Sequence, residues 1–375
     1  MNAIVLAGGL GTRLRPLSCT RPKMLFPVAN IPLLDWALRK LAKNKVERAI
    51  LAVNYMADAF IKRYGEEAHG IELFYSKDLD RVAERLPRSE KSLGTGGSIK
   101  KAEKLISRKE PFLVLNGDIL TNINYAEFVN QHKASGAIAS IALHEVNDPS
   151  RYGVVELTDK DRIARFVEKP SREEAPSNVI NAGIYALSPK IFDYIPKARS
   201  VSIEHEIFPK LAEEGKLHGY IFQGYWTDIG EPSDYLKANR LLLDMEIEKE
   251  KLGENVTLRI EGEIRKPCVI GENVTVGSKT IIGPYTAIGE ETSVGNRALI
   301  EDSIIFPNTT ISDYAFVRGA IIGESVIVGR GAKIEDGCIV GDNATIQDGV
   351  ALTRGVSVCP FKNVTQNAST AECLM

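Results

Sequence analysis

A glycine-rich turn near the start of the chain is followed by three cations, all within residues 7–23. The turn and its cations are Gly8, Gly9, Gly11, Arg13, Arg15 and Lys23. A backbone without side chains can approach a phosphate closely and direct its N–H groups toward it. Arginine adds a planar fork of donors and lysine a compact point charge, so the two suit different phosphate oxygens. The pattern predicts a site for a polyphosphate.

The spacing of this turn excludes two common phosphate-binding loops. It does not match the Walker sequence G-x-x-x-x-G-K-[ST], and it is not a G-x-G-x-x-G that opens a helix. The structural alternative is an ordinary tight turn with solvated basic residues. The three cations and two prolines that accompany the glycines favour the phosphate site.

Two aspartates stand in segments that suit a metal bound to phosphates. Asp118 closes the apolar run 112–115 in Asn-Gly-Asp, and Asp228 lies in Trp-Thr-Asp-Ile-Gly. Mg²⁺ takes few protein oxygens in such sites and completes its shell with water and substrate. We expect the two carboxylates to converge on Mg²⁺, although each alone is equally typical of a turn cap.

Two further segments offer ligand contacts. The glycine-rich stretch 93–97 opens a predicted helix over 98–106, where N–H groups favour a planar base or an anion. An ordinary helix cap at Thr95 or Ser98 is compatible with the same residues. Glu168 and Lys169 follow a predicted strand over 163–167. The carboxylate can accept from sugar hydroxyls while the ammonium meets a phosphate, or the pair is a solvated strand end.

Composition limits the classes of function. A length of 375 residues suggests two domains, and 44% hydrophobic with 26% charged residues is typical of a soluble globular protein. A net charge of −2 does not support nucleic acid as a partner. No apolar stretch approaches about 18 residues and the first strand begins at once, so neither a membrane span nor a signal peptide is expected. Five scattered cysteines without metal spacing predict reduced thiols in the cytoplasm.

The elements that must position these residues alternate between strand and helix up to about residue 240. Apolar runs recur at 49–53, 112–115, 138–143 and 184–187, with amphipathic stretches such as 33–43 between them. This predicts an α/β domain over 1–235 with a mainly parallel sheet, whose ligands bind at the carboxyl ends of strands. A charged helix over 236–255 is expected to link it to the rest.

A hexapeptide repeat dominates the last third. Glycines occur every six residues from Gly271 to Gly295, each preceded by Ile or Val, and a second apolar set runs from Ile322 to Leu352. This predicts a parallel β-helix over 256–375, with oligomer contacts through its faces. A β-sandwich with frequent glycine turns is the alternative. The phase changes between the sets, so we expect a loop or bulge near 307–321.

Segment 8–23 resembles the signature of the sugar-1-phosphate nucleotidylyltransferases, and the likeness extends over nearly the whole chain. Tyr-Gly-Val-Val at 152–155, Glu-Lys-Pro at 168–170 and Asn-Ala-Gly-Ile-Tyr at 181–185 resemble the family's sugar-phosphate half-site. The resemblance implies a Rossmann-like nucleotidyltransferase domain and a left-handed β-helix. It also implies transfer of a nucleotidyl group from an NTP to a sugar 1-phosphate, with release of pyrophosphate.

The resemblance assigns roles to residues at matching positions. Arg13 and Lys23 would be catalytic, and Asp118 and Asp228 would hold Mg²⁺. The nucleotide would contact Leu6, Ala7, Gly8, Gly9, Gly11, Thr12, Glu90, Gly94 and Thr95. The sugar phosphate would contact Gly153, Glu168, Lys169, Asn181 and Gly183.

Within the family, the chain is most similar to the guanylyltransferases of mannose 1-phosphate, which implies GTP and mannose 1-phosphate as substrates. Their usual Leu-Gly-Thr-Ala-Gly has Gly96 in place of the alanine here, and only Glu90 lies nearby to accept from guanine. A thymidylyl- or uridylyltransferase of glucose 1-phosphate is therefore the alternative enzyme. A non-catalytic regulatory subunit is a second alternative. An acyltransferase is disfavoured, because all five histidines precede the repeats.

Overall fold

The computed structural model describes residues 1–54, 56–77, 93–158, 160–197, 199–245, 259–370 and 373–374. The chain forms two compact units. The first comprises Met1–Gly9 and Leu34–Thr227, and the second comprises Leu10–Leu33 and Asp228–Met375. The segment that carries most of the glycine-rich signature is therefore grouped with the repeats, whereas the sequence predicted one continuous domain over 1–235.

The part of the chain before the repeats alternates strands with helices, as the apolar runs predicted. Its strands are β1 (Asn2–Leu6), β2 (Pro27–Val28), β3 (Ile31–Pro32), β4 (Arg48–Val53), β5 (Glu67–Ala68), β6 (Ile71–Lys77), β7 (Phe112–Asn116), β8 (Ile119–Thr121), β9 (Ala139–Glu145), β10 (Gly153–Leu157), β11 (Ile163–Glu168), β12 (Val179–Leu187), β13 (Leu217–Ile221) and β14 (Trp226–Asp228). Its α-helices are α1 (Leu33–Lys43), α2 (Ala57–Tyr64), α3 (Gly94–Lys101), α4 (Tyr125–Ser135), α5 (Ile191–Tyr194), α6 (Phe208–Glu213) and α7 (Pro232–Met245).

The first unit is built on a ten-stranded, Rossmann-like sheet. Its main order is β11-β10-β12-β7-β1-β4-β6-β5, with β9 and β13 beyond β12. The pairs β1–β4, β1–β7, β4–β6 and β9–β13 are parallel, while β12 is antiparallel to β7, β9 and β10. Ala3, Ile4 and Val5 of β1 are fully buried, as a central strand covered on both faces requires. The predicted mainly parallel sheet is confirmed.

The repeats of the second unit form a left-handed parallel β-helix with three sheets, as predicted. The first sheet contains β15 (Arg259–Ile260), β18 (Thr275–Val276), β21 (Ser293–Val294), β24 (Thr310–Ile311), β27 (Ile327–Val328), β30 (Thr345–Ile346) and β33 (Asn363–Val364). The second contains β16 (Glu263–Ile264), β19 (Ile281–Ile282), β22 (Leu299–Glu301), β25 (Phe316–Arg318), β28 (Lys333–Ile334) and β31 (Ala351–Leu352). The third contains β17 (Cys268–Ile270), β20 (Thr286–Ile288), β23 (Ile304–Ile305), β26 (Ile321–Ile322), β29 (Ile339–Val340), β32 (Ser357–Val358) and β34 (Cys373–Leu374).

The predicted loop or bulge near 307–321 is wrong. Ile311 and Val317 lie within that stretch, and both are buried core residues of the stack. The sequence phase changes because two repeats are one residue short. The core position after Ile300 is Ile305 rather than Phe306, and the one after Val317 is Ile322. Shortening a turn by one residue shifts the sequence period without interrupting the pairing of the coils.

The predicted linking helix lies at the start of the second unit's later segment. Helix α7 ends at Met245, and the remainder of the predicted helix up to 255 lies outside the described residues. The backbone N–H of Ala29 donates to Asn239 Oδ1 of α7 over 2.9 Å, and the Tyr235 hydroxyl donates to the carbonyl of Pro27.

Among the described residues, no helix combines the length and apolar character needed to cross a bilayer.

Candidate active site

The first unit brings the end of β1 next to the turn that carries Asp118. Because β1 and β7 are parallel, with Leu6 opposite Asn116, their carboxyl ends meet at one sheet edge. The Gly117 N–H donates to the Leu6 carbonyl over 3.0 Å. Ala7 and Gly8 leave the sheet at the same point. The two strand ends therefore share one edge of the sheet, with the half-buried carboxylate of Asp118 beside it.

The structure explains in different ways why positions 9 and 11 of the signature are glycine. A Cβ built on Gly9 meets no described atom within 4 Å, so packing does not require glycine there. Gly11 has φ +59°, and its carbonyl accepts from the Ser18 hydroxyl over 2.7 Å. A left-handed backbone favours glycine at position 11. Gly9 therefore keeps its predicted explanation, close approach by a ligand.

Two of the three predicted cations lie on short helical turns of the second unit. Thr12 and Arg13 belong to a 3₁₀ turn over Thr12–Leu14, and Lys23 begins another over Lys23–Leu25. The Arg13 side chain is 62% exposed, and its Nη1 lies 3.7 Å from Glu231 Oε1. A long contact of this kind at the surface stabilises little, so the guanidinium can exchange it for a phosphate.

The two predicted metal ligands belong to different units. Asp118 precedes β8 in the first unit, and Asp228 is the first residue of the second unit's later segment. Both are half-buried. Their convergence on a metal stays a prediction. In the described part of the chain, no cluster of three or more His, Cys, Asp or Glu side chains could hold a metal.

A break in β12 shapes the sugar side of the first unit. The pairing with β9 shifts between Asn181 and Tyr185, and Gly183 within the break has φ +68°. The Gly183 N–H donates to Asn181 Oδ1 over 2.8 Å. A Cβ on Gly183 would overlap Ile119 and lie 2.7 Å from the Asn116 amide nitrogen. Two predicted sugar contacts are thus placed beside the turn of Asp118.

Glu168 and Gly153 face each other across β10 and β11. They are register partners, and a Cβ on Gly153 would lie 2.6 Å from Glu168 Oε2. This oxygen is buried without a hydrogen-bond partner among the described residues. The other carboxylate oxygen lies 3.7 Å from Lys169 Nζ. Buried polar atoms are rarely left unpaired, and an absent ligand is one physical explanation.

The surroundings of Glu168 make ionisation of its carboxyl less favourable than it is in water. Burial raises the pKa of this carboxyl above its ordinary value, and the negative charge of Glu204 raises it further. Lys169 and His205 act in the opposite direction but do not compensate. A buried carboxyl whose pKa is shifted by burial and by a nearby charge is common at functional sites.

Glu204 is a central residue to which the sequence assigned no role. Its carboxylate accepts from the hydroxyls of Thr95 (2.5 Å), Ser202 (2.8 Å) and Tyr185 (3.3 Å). The Asn181 amide in turn donates to the Tyr185 hydroxyl over 3.1 Å. Glu204 thus joins the predicted nucleotide contact Thr95 to the sugar side. No local pattern around Glu204 identifies these partners, because Thr95 lies in a distant segment of the chain.

The glycine-rich segment 93–97 differs from expectation. Helix α3 begins at Gly94 instead of near 98, and neither Thr95 nor Ser98 caps it with a side chain. Cβ atoms on Gly94, Gly96 and Gly97 would each come within 3 Å of an atom of Leu93 or Val201. Close packing inside the unit therefore explains these glycines. Glu90, predicted to contact the base, lies outside the described residues.

Both the N-terminal and the C-terminal part of the chain match known protein families. The family described as "Nucleotidyl transferase" matches residues 2–245, and "GMPPB C-terminal domain" matches 264–374. Proteins named mannose-1-phosphate guanyltransferase from Candida albicans and Aspergillus oryzae are 36% and 34% identical, and the match covers 100% of each chain. The structure of HddC from Yersinia pseudotuberculosis complexed with GMP-PN is 30% identical, with a TM-score of 0.53, and matches 64% of this chain and 99% of its own.

Proposed function

The chain belongs to the nucleotidyl transferase family, and from this membership we propose that it transfers GMP from GTP to mannose 1-phosphate, giving GDP-mannose and pyrophosphate. Relatives that match over their full length carry the name mannose-1-phosphate guanyltransferase, which supports this donor and acceptor. HddC, a structural neighbour, was solved with GMP-PN. The observation that carries a sugar site in the first unit is the unpaired, buried Oε2 of Glu168.

A sugar hydroxyl would supply the missing donor to that oxygen. Gly153 leaves room beside the carboxylate, while Lys169 offers an ammonium that is 65% exposed for the sugar's phosphate. Asn181 stays oriented because its Oδ1 accepts from Gly183 and its amide donates to Tyr185. These residues together would bind one face of a phosphorylated hexose.

The chemistry needs no general base. The nucleophile is an oxygen of the sugar phosphate, already largely dianionic near pH 7 if its second pKa is about 6, as for phosphoserine. It attacks the α-phosphorus of the NTP, and the bond to the bridging oxygen breaks with release of pyrophosphate. Catalysis then consists of holding two anions together and stabilising added charge.

The cations of segment 10–33 would perform that stabilisation. Arg13 would donate to the α-phosphate and the departing pyrophosphate, for which its exposed fork is suited. Lys23 would contact the phosphates from the opposite side. The backbone of Gly8, Gly9 and Gly11 would supply N–H donors to the same group.

Nucleotidyltransferases of this kind generally use a divalent metal, and we propose Mg²⁺. Asp118 and Asp228 would hold it. Both carboxylates are half-buried, and Mg²⁺ needs only one or two protein carboxylates because it keeps water and substrate phosphate as its other ligands. Bound there, Mg²⁺ would neutralise charge on the phosphates.

The test is a matrix of initial rates that follows pyrophosphate in the presence of Mg²⁺. GTP, dTTP, UTP and ATP would each be paired with mannose 1-phosphate and glucose 1-phosphate. We expect the highest kcat/KM for GTP with mannose 1-phosphate. An optimum for dTTP or UTP with glucose 1-phosphate would overturn the substrates but retain the reaction. No pyrophosphate from any pair would favour a regulatory subunit.

Two accompanying properties are proposed with this function. The flat faces of the β-helix offer surfaces for a homo-oligomer. The second is a cytoplasmic location, where the five scattered cysteines would stay reduced. Sedimentation of the purified chain would test the first property.

A further inference from the structure

Arg21 is a cation of the signature segment that points into the second unit instead of toward solvent. Its side chain is only 19% exposed. Its Nη2 donates to Asp342 Oδ2 over 2.7 Å and to Glu324 Oε2 over 2.5 Å. Burial lowers the pKa of this guanidinium, but the two carboxylates outweigh that effect and keep the pKa above its ordinary value. Arg21 is thus a charged residue with a fixed position.

Asp342 is the centre of this arrangement. Its side chain is 3% exposed, and Oδ2 also accepts from the Thr20 hydroxyl over 2.5 Å. Oδ1 accepts from the backbone N–H of Glu324 over 2.7 Å, across neighbouring coils of the β-helix. The absence of a side chain at Gly323 makes room for it, since a Cβ there would lie 2.5 Å from Oδ1. We call Thr20, Arg21, Glu324 and Asp342 the anchor cluster.

Neighbouring contacts hold the same segment against the β-helix. The Arg21 guanidinium lies 5.1 Å from the ring centre of Phe306, a fully buried residue that meets Phe26 edge to face. Farther along, the Asn30 amide donates to the carbonyl of Ile288 over 2.6 Å. The segment is therefore attached to the repeats on both sides of Lys23, the residue proposed to contact phosphate.

We propose that Asp342 and Glu324 are positioning residues for nucleotidyl transfer, because they hold Arg21 and thereby set the turn that presents Lys23. This inference rests on the proposed function, and it gives the β-helix a share in the phosphate site beyond assembly. Lys23 follows Arg21 by two residues and begins the turn Lys23–Leu25, so a displaced Arg21 displaces it too. Small misplacements of a charge near the reacting atoms cost rate steeply.

The test compares Asp342→Asn with a matched ion pair of the same unit. Arg240 of α7 donates to both oxygens of Asp302 in the β-helix, and neither residue belongs to segment 10–33. Both variants, Asp342→Asn and Asp302→Asn, lose one carboxylate charge that an arginine pairs. We expect Asp342→Asn to lower kcat/KM for the NTP about 10- to 100-fold, with KM for the sugar 1-phosphate unchanged. Asp302→Asn should leave both values near wild type.

Conservative changes separate positioning from folding. Arg21→Lys keeps a charge and should retain more activity than Arg21→Met, whereas a merely structural loss would follow the unfolding temperature. Glu324→Gln alters a carboxylate whose side chain is 38% exposed, so it tests the cluster with little effect on folding. We expect the same direction and a smaller change. In a Lys23→Ala background, Asp342→Asn should cause no further loss.

Hydrogen exchange of peptides that cover 17–26 distinguishes failure of this inference from failure of the proposed function. Faster exchange in Asp342→Asn than in Asp302→Asn is expected, whether or not the wild type forms a nucleotide sugar. Equal exchange together with equal kcat/KM in the two variants would overturn the positioning role. An inactive wild type with the expected exchange difference would overturn only the function.

Discussion

The Gly117 N–H donates to the carbonyl of Leu6 over 3.0 Å, and this bond joins the turn of Asp118 to the end of the first strand. The two segments lie more than a hundred residues apart in sequence. Their contact follows from the parallel pairing of β1 with β7. On the other side, the antiparallel pairing of β12 with β7 brings Gly183 next to Asn116. One sheet edge therefore carries parts of both proposed substrate sites.

Arg13→Ala should lower kcat about 100-fold or more with little change in stability. The side chain is 62% exposed, so its removal leaves no buried group unpaired. Surface substitutions of this kind change the free energy of unfolding by about 0.5 kcal/mol or less. Arg15→Ala, an exposed cation in the same segment, serves as the control and should have a smaller effect. Near-normal turnover in Arg13→Ala would remove the assigned role.

Gly9→Ala should raise KM for the NTP about tenfold without lowering the unfolding temperature. No described atom lies within 4 Å of the new Cβ, so only a closely approaching ligand would meet it. Gly97→Ala is the contrasting variant, because its Cβ would lie 2.9 Å from that of Leu93 and should destabilise the protein. An unchanged KM in Gly9→Ala would show that the nucleotide does not approach this glycine.

The affinity for sugar 1-phosphate should fall as the pH decreases through the pKa of Glu168. Because that pKa is raised, protonation begins at a higher pH than for an ordinary glutamate, and a protonated carboxyl is a weaker acceptor for a sugar hydroxyl than a carboxylate. KM measured across pH would show an acidic limb in the wild type. Glu168→Gln should have a higher KM at neutral pH and lack this limb. The same limb in both proteins would assign it to the substrate's phosphate.

Glu204→Gln provides a second test of the same electrostatics. After burial, the negative charge of Glu204 is the next largest cause that raises the pKa of Glu168. Removing that charge should lower this pKa, so the acidic limb should move to lower pH. The variant also leaves three hydroxyl donors with a poorer acceptor, and a loss of about 1–3 kcal/mol in unfolding free energy is expected. An acidic limb at an unchanged pH would show that the charge of Glu204 does not affect the pKa of Glu168.

Stability should fall on acidification between about pH 6.5 and pH 4 through His132. Burial, with smaller effects from His218 and Lys133, lowers the pKa of this imidazole from 6.5 to about 4. The unfolded chain therefore binds the proton first, and stability rises with pH across this window. The full effect is about 3 kcal/mol. Thermal unfolding at several pH values should show a weaker dependence in His132→Gln, and an equal dependence would contradict the assignment.

The patterns that the sequence alone resolved are local. The strand, glycine turn and cations occupy one continuous stretch, and the hexapeptide period reports an inward position at regular intervals. Both patterns can be recognised without knowing which distant segments of the chain are in contact. The repeat continues through the stretch where a loop was predicted. Only its length changes there, since two turns are one residue shorter than the others. In the sequence, a turn that is one residue short looks like an interruption of the repeat, although the coils remain stacked in the structure.

The relationships between distant residues were decided by tertiary structure. Local pattern did not reveal that Glu204 would accept from Thr95, that the glycines after Leu93 would pack against Val201, or that Arg21 would leave the other signature cations for Asp342. Each depends on which segments the fold brings together and on burial, which makes an unpaired charge costly. The sequence by itself determined the chemistry available to this protein and the period of its repeats. The tertiary structure decided which cation is held inside the protein and which carboxylate oxygen is left without a partner.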